Sequence, residues 1–356
     1  MSSTRRDALV VGGGVIGLTS AFRLAHADWR VTLFDPSPGA GATWAAAGML
    51  ASTAEVSPGE EENYQLQLGA LAAWRELSHD LYEVTGELVD VHESGTLLVA
   101  FDQSDRRLIS QFEGVAQSYG APFRRVLREN YEEMFEGVSA GIREGLFLVG
   151  DAWVDPDQAV AVLARANEAL GVDVVRQLVL TASSQGDHVE VTTAEGVFRG
   201  DAGVLTTGAG PLPCGVADKV ANVIRPVRGT TVRVQGLDRS SQPMVRAYVR
   251  GRSFYMVSRP GGYCVLGASS DEKQELLVEV GELQRLLRDA LDIVPSLESA
   301  SIIETRQGLR PASKDLAPFF EVVDARWAWS SGHYRHGVTL APLAARQALS
   351  FVLHLS

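Results

Sequence analysis

The chain has 356 residues, 46% of them hydrophobic, which is enough for about two domains with substantial cores. Its 44 acidic side chains outnumber 32 Lys and Arg, and the net charge of −12 argues against nucleic acid or an anionic membrane surface as a partner. There is no apolar run of about 18 residues to span a bilayer, and without a recognisable signal sequence we expect a cytoplasmic location.

The N-terminal segment carries the clearest pattern in the chain. A buried strand is predicted from Ala8 to Val11, and it runs directly into Gly12-Gly-Gly-Val-Ile-Gly17, which has G-x-G-x-x-G spacing. In this pattern the glycines allow a tight turn, a close approach of backbone to a pyrophosphate, and close packing of helix on strand. After one helix, a second predicted strand ends at Asp35, where a carboxylate binds ribose hydroxyls. Together these features predict a dinucleotide site.

A second interpretation of the same segment is a secretion signal. Arg5-Arg6, the apolar run and Ala25-His26-Ala27 resemble a twin-arginine signal with a cleavage site. Cleavage there would discard glycines that stand at the nucleotide spacing, so we favour the dinucleotide site.

Small residues fill the stretch from Ala42 to Leu50 after a Gly/Pro-rich loop. They suit either a tight loop or helix start packed on a neighbour, or a backbone that lies against a ring system. A long amphipathic helix is then predicted from Glu60 to Thr85, because one face at helical spacing is apolar. That face consists of Tyr64, Leu68, Leu71, Trp74, Leu77, Leu81 and Val84.

A change of period after Val89 marks a second domain. A strand from Gly95 to Phe101 and a polar helix from Ser104 to Gly120 are predicted there. A short strand and turn follow from Gly150, and Pro156 suits the first turn of a helix over Asp157 to Leu170.

Three further strands are predicted at Gly171 to Val175, Glu190 to Thr193 and Ala202 to Gly208, and we expect them to extend the nucleotide domain. Thr206-Thr-Gly-Ala-Gly210 suits either a second backbone crossing near a nucleotide or an ordinary turn at a strand end.

Residues 225 to 270 are rich in β-forming residues and predict an antiparallel sheet, with Gly261-Gly262 as a hairpin turn. Its strands are Thr230 to Val234, Met244 to Arg250, Ser253 to Val257 and Tyr263 to Leu266. A helix from Glu279 to Leu291 and a last helix from Ala341 complete the predicted elements.

The predicted fold is therefore α/β, with two interleaved domains. A Rossmann-like dinucleotide domain is expected over residues 1–86, 150–218 and 303–356. An α+β domain built on an antiparallel sheet is expected over residues 87–149 and 219–302. This interleaving places a cleft between the domains, where ligands commonly bind.

Cysteine and histidine do not suggest a metal site. Cys214 and Cys264 have no metal-type spacing, and we expect both to be buried free thiols. His333 and His336 stand three residues apart without a third ligand nearby, so we predict no metal.

Seven motifs carry a likeness that runs nearly end to end. They are Gly12-Gly-Gly-Val-Ile-Gly17, Thr43-Trp-Ala-Ala-Ala-Gly-Met-Leu50, Val154-Asp-Pro156, Pro226-Val-Arg-Gly229, Tyr255-Met-Val257, Gly308-Leu-Arg-Pro311 and Gly332-His-Tyr-Arg-His-Gly337. Together they resemble the D-amino-acid oxidase family of flavoproteins, and within it the glycine oxidase branch. The first motif is generic, whereas Ala-Ala-Gly-Met-Leu and Gly-His-Tyr-Arg are specific.

The resemblance implies FAD in place of NAD, with the flavin ring held between the domains. It identifies Arg310 with the arginine that binds the substrate carboxylate and Tyr255 with a tyrosine lining the substrate. Arg335 and Met49 match residues beside the flavin. A guanidinium also suits this role on chemical grounds, because its two-pronged donor set matches a planar carboxylate.

Most of the predicted cofactor contacts come from the glycine loop, the small-residue stretch and the C-terminal loop, and the others are single positions between them. They are Gly12, Gly14, Val15, Ile16, Gly17, Asp35, Thr43, Trp44, Ala46, Ala47, Gly48, Met49, Val179, Thr207, Gly208, Gly332, His333, Tyr334, Arg335, His336, Gly337 and Val338. Because neither cysteine is placed to attach a flavin, we expect FAD to be non-covalent.

Some positions depart from the family pattern. Asp28 stands where the family often has a glycine, and it tolerates the left-handed conformation. His336 replaces an asparagine and Thr339 a leucine, and the Ser270 to Gln274 segment lacks a common glycine. These positions leave the identity of the substrate open.

The implied reaction is FAD-dependent oxidation of glycine and small amines such as sarcosine or D-alanine. Hydride leaves the α-carbon for flavin N5, O₂ is the acceptor, and an imine, ammonia and hydrogen peroxide result, in support of thiamine thiazole biosynthesis. The expected partners are a small amino acid and O₂, and a homo-oligomer is left open. A broader D-amino-acid oxidase or dehydrogenase is the alternative. A flavin-binding subunit without an amine substrate is disfavoured, because Arg310 and Tyr255 would have no ligand.

Overall fold

The computed structural model describes residues 6–220, 223–236, 239 and 241–355. Arg5 of the twin-arginine pattern lies outside them. The strands are β1 (Asp7–Val11), β2 (Arg30–Phe34), β3 (Met49–Leu50), β4 (Thr96–Ala100), β5 (Arg124–Leu127), β6 (Glu144–Leu148), β7 (Ala152–Trp153), β8 (Asp173–Val175), β9 (Thr181–Gln185), β10 (His188–Thr192), β11 (Val197–Gly200), β12 (Ala202–Leu205), β13 (Cys214–Gly215), β14 (Arg225–Gln235), β15 (Met244–Val249), β16 (Arg252–Arg259), β17 (Tyr263–Gly267), β18 (Ser301–Ala312), β19 (Phe319–Asp324) and β20 (Trp327–Ser331). The α-helices are α1 (Val15–His26), α2 (Ala42–Ala45), α3 (Glu61–Leu68), α4 (Ala70–Thr85), α5 (Gln103–Ser118), α6 (Pro156–Ala169), α7 (Val280–Ile293) and α8 (Gly337–His354).

A six-stranded sheet in the order β19-β20-β12-β1-β2-β8 contains the N-terminal strand at its centre. The strands from β20 to β8 are parallel, and β19 joins the edge antiparallel. Successive residues of β1 face opposite sides, so Ala8 and Val10 pack on helices α1, α4, α6 and α8. Leu9 and Val11 pack on the second sheet described next. Both faces of β1 are therefore buried, which explains its unbroken apolar run.

A four-stranded sheet, β11-β10-β9-β13, covers the face of the six-stranded sheet opposite the helices. The predicted strand at Glu190 to Thr193 belongs here, as β10.

An eight-stranded sheet in the order β18-β14-β17-β16-β15-β4-β6-β5 forms the other half of the molecule. Neighbouring strands are antiparallel except β15 and β4, which are parallel. Helix α7 packs on one face, against Val245, Ala247, Phe254 and Met256. Because side chains alternate along a strand, Arg246 and Tyr255 stand on the other face. This alternation aims polar side chains toward the half of the molecule that contains the glycine loop.

The predicted fold class, α/β with an interleaved antiparallel sheet, is confirmed, but several boundaries differ. The predicted helix from Glu60 to Thr85 is interrupted at Gly69, and Leu68 is half exposed. The last helix begins at Gly337, four positions before the expected Ala341, and Pro342 lies inside it.

Strand β18 pairs with β14 along its length to Ala312, so the eight-stranded sheet continues past the boundary expected at residue 303. The division into domains stays a prediction.

Two smaller expectations have different outcomes. Cys264 is buried, but Cys214 is exposed at the edge of the four-stranded sheet, so the expectation of two buried thiols is wrong for Cys214. Asp28 does adopt the left-handed conformation, with φ of 67°. Over the part of the chain that the structure describes, no helix is both long and apolar enough to cross a membrane.

Candidate active site

Two of the three motif glycines in the turn between β1 and α1 leave no room for a side chain. Gly12 has φ of +105°, and a Cβ there would lie 2.4 Å from the Thr206 carbonyl oxygen. A Cβ on Gly17 would lie 1.7 Å from the Gly12 carbonyl oxygen. At Gly14 the nearest atom to such a Cβ is Thr43 Oγ1, at 3.5 Å. Two glycines therefore close the turn, while the third leaves open backbone at the start of α1.

Asp35 is held in place directly after β2. Its carboxylate accepts the Gly13 N–H at 2.6 Å and the Ser37 N–H at 2.7 Å. It also lines the cavity described next, so its remaining lone pairs can accept hydroxyl donors.

One cavity of about 550 Å³ joins the glycine loop to the eight-stranded sheet. Most of the predicted site residues line it: Gly12, Gly14, Val15, Ile16, Asp35, Thr43, Ala46, Ala47, Gly48, Met49, Thr207, Gly208, Tyr255, Arg310, His333, Tyr334, Arg335, His336, Gly337 and Val338. The glycine loop and the loop before α8, which are more than 300 residues apart in the sequence, thus line the same cavity. Which of them contact a cofactor stays a prediction.

Four predicted residues do not line this cavity. Gly17 packs α1 on β1, and Gly332 directly follows β20 with φ of +74°. Val179 lies in the core between the six-stranded and four-stranded sheets. The ring of Trp44 lies under the Arg306 guanidinium, 4.8 Å from its Cζ.

The small-residue stretch is held from behind by a buried arginine that the sequence analysis did not single out. Arg259 donates to the Ala47 carbonyl oxygen, and its Cζ lies 4.0 Å from the centre of the Trp153 ring. Burial lowers the pKa of Arg259 to about 10. A Cβ on Gly48 would lie 2.0 Å from the Val154 carbonyl oxygen, so the backbone of the stretch packs directly on the backbone at Val154.

The C-terminal loop reaches the cavity just before α8. The Tyr334 N–H donates to the Pro311 carbonyl at 2.9 Å, and Tyr334 has φ of +45°. His333 and His336 are buried, and burial lowers the pKa of each to about 4, so both are neutral at pH 7. The N-terminus of α8, with its partial positive charge, follows at Gly337.

Arg310 extends from β18 over the backbone of β14. A Cβ on Gly229 would lie 2.2 Å from its Nη2, so only glycine leaves space for the guanidinium. Its Nη1 donates to the carbonyls of Arg228 and Ser269 at 3.3 and 3.2 Å. Burial lowers the pKa of Arg310, yet arginine remains charged at neutral pH. Among the described residues no carboxylate forms an ion pair with it, so its charge faces the cavity uncompensated.

Tyr255 depends on a second glycine in the same way. A Cβ on Gly267, opposite it on β17, would lie 2.1 Å from the ring Cζ, so the ring leans across β17. Burial raises the pKa of the Tyr255 hydroxyl, which therefore stays protonated and can donate a hydrogen bond.

An ion-pair cluster at this end of the cavity was missed from sequence. Glu55 Oε1 lies 2.5 Å from Arg246 Nη1, and Glu55 Oε2 lies 3.7 Å from Arg335 Nη1. Burial alone would raise the pKa of Glu55, but the two arginines outweigh it and the net shift is downward. No local pattern joins residue 55 to strand β15, so the sequence held no signal for this cluster.

The family described as FAD dependent oxidoreductase matches residues 7–349. The chain belongs to this family. It is similar to glycine oxidase of Bacillus licheniformis, with 28% identity over 98% of this chain and 93% of the relative. Glycine oxidase of Pseudomonas aeruginosa is 30% identical over 95% of this chain and 92% of its own length.

A solved structure points the same way. The crystal structure of glycine oxidase from Geobacillus kaustophilus matches with a TM-score of 0.88 and 27% identity, covering 99% of this chain and 95% of that one. The bifunctional protein ThiO/ThiG of Trichormus variabilis is 27% identical over 98% of this chain, which spans 53% of that protein.

The residues present fit FAD, the cofactor of the family. The Gly12 turn and the open backbone at Gly14 provide room for a pyrophosphate, and Asp35 is fixed beside them. The cavity then continues along Ala46 to Met49 to the guanidinium of Arg310, which gives space for a cofactor and an anionic substrate together. In the described residues, no cluster of three or more His, Cys, Asp or Glu is placed to hold a metal ion.

Proposed function

We propose that the chain oxidatively deaminates glycine and small amines such as sarcosine or D-alanine, with non-covalent FAD and with O₂ as the acceptor. The observation that carries the proposal is one cavity joining the dinucleotide turn to Arg310 and Tyr255. The curated relatives named glycine oxidase support it, and those named ThiO/ThiG support a role in thiamine thiazole synthesis.

Substrate binding is assigned to Arg310 and Tyr255. The Arg310 guanidinium can donate two parallel hydrogen bonds to an amino-acid carboxylate, a geometry that fixes the orientation of the α-carbon. The protonated Tyr255 hydroxyl, on β16, can donate a hydrogen bond to the same carboxylate. The backbone from Ala46 to Met49 and the loop before α8 would hold the flavin, with Arg335 and Met49 beside it.

The chain's own contribution to the chemistry is electrostatic. When bound, FAD would supply the acceptor for a hydride from the substrate α-carbon and the route by which the electron pair reaches O₂. The guanidiniums of Arg246, Arg310 and Arg335 line the cavity and lower the pKa of a substrate ammonium. The ammonium proton is therefore released to water before oxidation. The neutral amine yields an imine, which water hydrolyses to an oxo acid and ammonia. We assign no general base to His336, because its pKa of about 4 makes the imidazole a weak base and the reaction does not require one.

A substrate panel tests the proposal. Holoenzyme is mixed anaerobically with glycine, sarcosine and D-alanine while flavin absorbance is followed, and peroxide is then measured in air. We expect bleaching by glycine and glycine-dependent peroxide. Bleaching by bulky D-amino acids with inertness to glycine would instead favour a broader D-amino-acid oxidase. Turnover with a dye but not with O₂ would make the protein a dehydrogenase.

A further inference from the structure

The cavity contains a second buried guanidinium to which the proposed function assigns no direct contact with glycine. Arg246 of β15 lies directly opposite Tyr255 of β16, and the two side chains share a sheet face. Opposed residues in an antiparallel pair have Cβ atoms about 5 Å apart. Arg246 therefore lies beside Tyr255 in the cavity wall. The end of the cavity that contains Arg246, Tyr255 and Arg310 is called the amine end below.

Arg246 has donor capacity left over. Its exposure is 8%, and Nη1 donates to Glu55 Oε1 at 2.5 Å. Its Nε has no hydrogen-bond partner among the described residues but is itself buried, so any donor offered to a ligand belongs to the Nη groups. A guanidinium has five N–H donors, and the Glu55 contact occupies only part of this set.

The charge balance at this end is positive. Arg246, Arg310 and Arg335 line it together with one acidic side chain, Glu55, since Asp35 lines the glycine-loop end. Among the lining side chains, two positive charges remain after Glu55 is counted; behind the lining, Glu60 acts on Arg335, and Asp151 interacts with Arg246. A substrate with a single carboxylate on Arg310 compensates one of them, and the other is left for a second anionic group.

Arg310 and Arg246 approach Tyr255 from different sides. The Tyr255 ring leans over Gly267 on β17, toward the strands that carry Arg310, while Arg246 is on the opposite neighbour, β15. Burial raises the pKa of Tyr255, and both guanidiniums act in the opposite direction, so both are close enough to affect its hydroxyl. A ligand over Tyr255 thus lies between two cations.

We propose that Arg246, held by Glu55, is a second anion subsite, and that the preferred substrates are small amines with two acidic groups. One acid binds Arg310 and the other binds Arg246. The substrate part of this inference rests on the proposed amine oxidation, whereas the binding part does not.

The binding test uses acids that have no amine to oxidise. Holoenzyme is titrated with acetate, propionate, succinate and glutarate, and Kd is read from the flavin absorbance change. We expect the dicarboxylates to bind at least about tenfold more tightly than the monocarboxylates. Equal affinities would overturn the inference.

Two variants separate a subsite from a supporting role. Glu55→Gln removes the competing carboxylate, so we expect succinate to bind more tightly than in the wild type. The double variant Glu55→Gln/Arg246→Gln removes both members of the buried pair, while half-exposed Arg335 loses only its 3.7 Å contact with Glu55. We expect the dicarboxylate preference to fall to within about twofold. Equal weakening of mono- and dicarboxylates in the double variant would mean that Arg246 only supports Tyr255, and would overturn the inference.

A matched substrate pair completes the test. Sarcosine and N-(carboxymethyl)glycine differ by one carboxylate, and we expect the second to have the higher kcat/KM in the wild type. If glycine and sarcosine reduce the flavin but the diacid has no advantage, the subsite fails and the proposed function stands. If no amine reduces the flavin while dicarboxylates still bind more tightly, the proposed function fails and the anion subsite stands.

Discussion

The two ends of the cavity are built from different kinds of contact. At the glycine-loop end, backbone meets backbone, and residues 12 to 17 are shaped by the space that Thr206 and β1 leave. At the amine end, charged side chains converge from β15, from β18, from the loop containing Glu55 and from the loop before α8. The first end is specified by a short local sequence and the second by strand pairing. Substitutions should therefore damage the first end through sterics and the second through charge.

The largest expected effect is that of Gly17→Ala. The added methyl would lie 1.7 Å from the Gly12 carbonyl oxygen, so α1 must move away from β1. We expect a loss of stability of about 3 kcal/mol or more, together with loss of bound FAD. Urea denaturation and the flavin content of the purified protein measure both effects.

Gly114→Ala is the matched control, because Gly114 is also inside a helix but has no atom within 4 Å of its Cβ position. We expect it to stabilise the protein by about 0.5–1 kcal/mol. Similar behaviour of the two variants would show that close packing at Gly17 is not what shapes the turn.

Arg310→Ala tests the amine end. We expect kcat/KM for glycine to fall by about 100-fold or more, mainly through KM, because the substrate carboxylate loses its paired donors. FAD content should not change, since the glycine loop is untouched. Steady-state kinetics and the flavin spectrum of the purified variant measure the two results.

Arg310→Lys keeps the charge and loses the fork, so we expect an intermediate kcat/KM. Unchanged glycine kinetics in Arg310→Ala would remove this residue from the substrate site.

A smaller effect is expected from His336→Asn, which places the residue usual in the family at this position. The pKa of buried His336 is lowered from 6.5 to about 4, so the unfolded state binds more protons between these values. Stability from this group is therefore present at pH 7 and lost as pH falls toward 4, by at most about 3 kcal/mol. We expect the variant to lose less stability than the wild type between pH 7 and pH 5, measured by urea denaturation.

Buried Asp151 titrates with the opposite sign. Burial raises its pKa to about 7, so it favours the folded state at low pH and loses that contribution as pH rises through 7. Because Asp151 is present in both proteins, its effect cancels in the comparison. Identical pH slopes for the variant and the wild type would show that His336 is not held neutral by burial.

The contrast between the two ends also explains what could be predicted from the sequence. The β1 turn, Asp35 and the α/β fold were accessible because a local spacing of glycines has a direct steric meaning. Arg310 and Tyr255, which line the cavity, were predicted as site residues through the resemblance to a family. Glu55 and Arg246 were missed because their proximity depends on the packing of the loop after β3 against β15, and no short pattern encodes that packing. The helix break at Gly69 was missed because apolar periodicity continues on both sides of it.

The smallest expected effect tests local backbone shape at the turn between α1 and β2, at the opposite end of α1 from the glycine loop. Asp28 follows α1 with φ of 67°, a conformation that costs a residue with a Cβ about 1 kcal/mol relative to glycine. We expect Asp28→Gly to raise the free energy of unfolding by about 0.5–1 kcal/mol and Asp28→Ala to lower it, with FAD content unchanged in both. Urea denaturation of the two variants measures a difference in sign, which a loss of the Asp28 charge cannot produce because both variants lose it. If both variants shift stability in the same direction, the side chain of Asp28 and not its backbone conformation sets the stability of this turn.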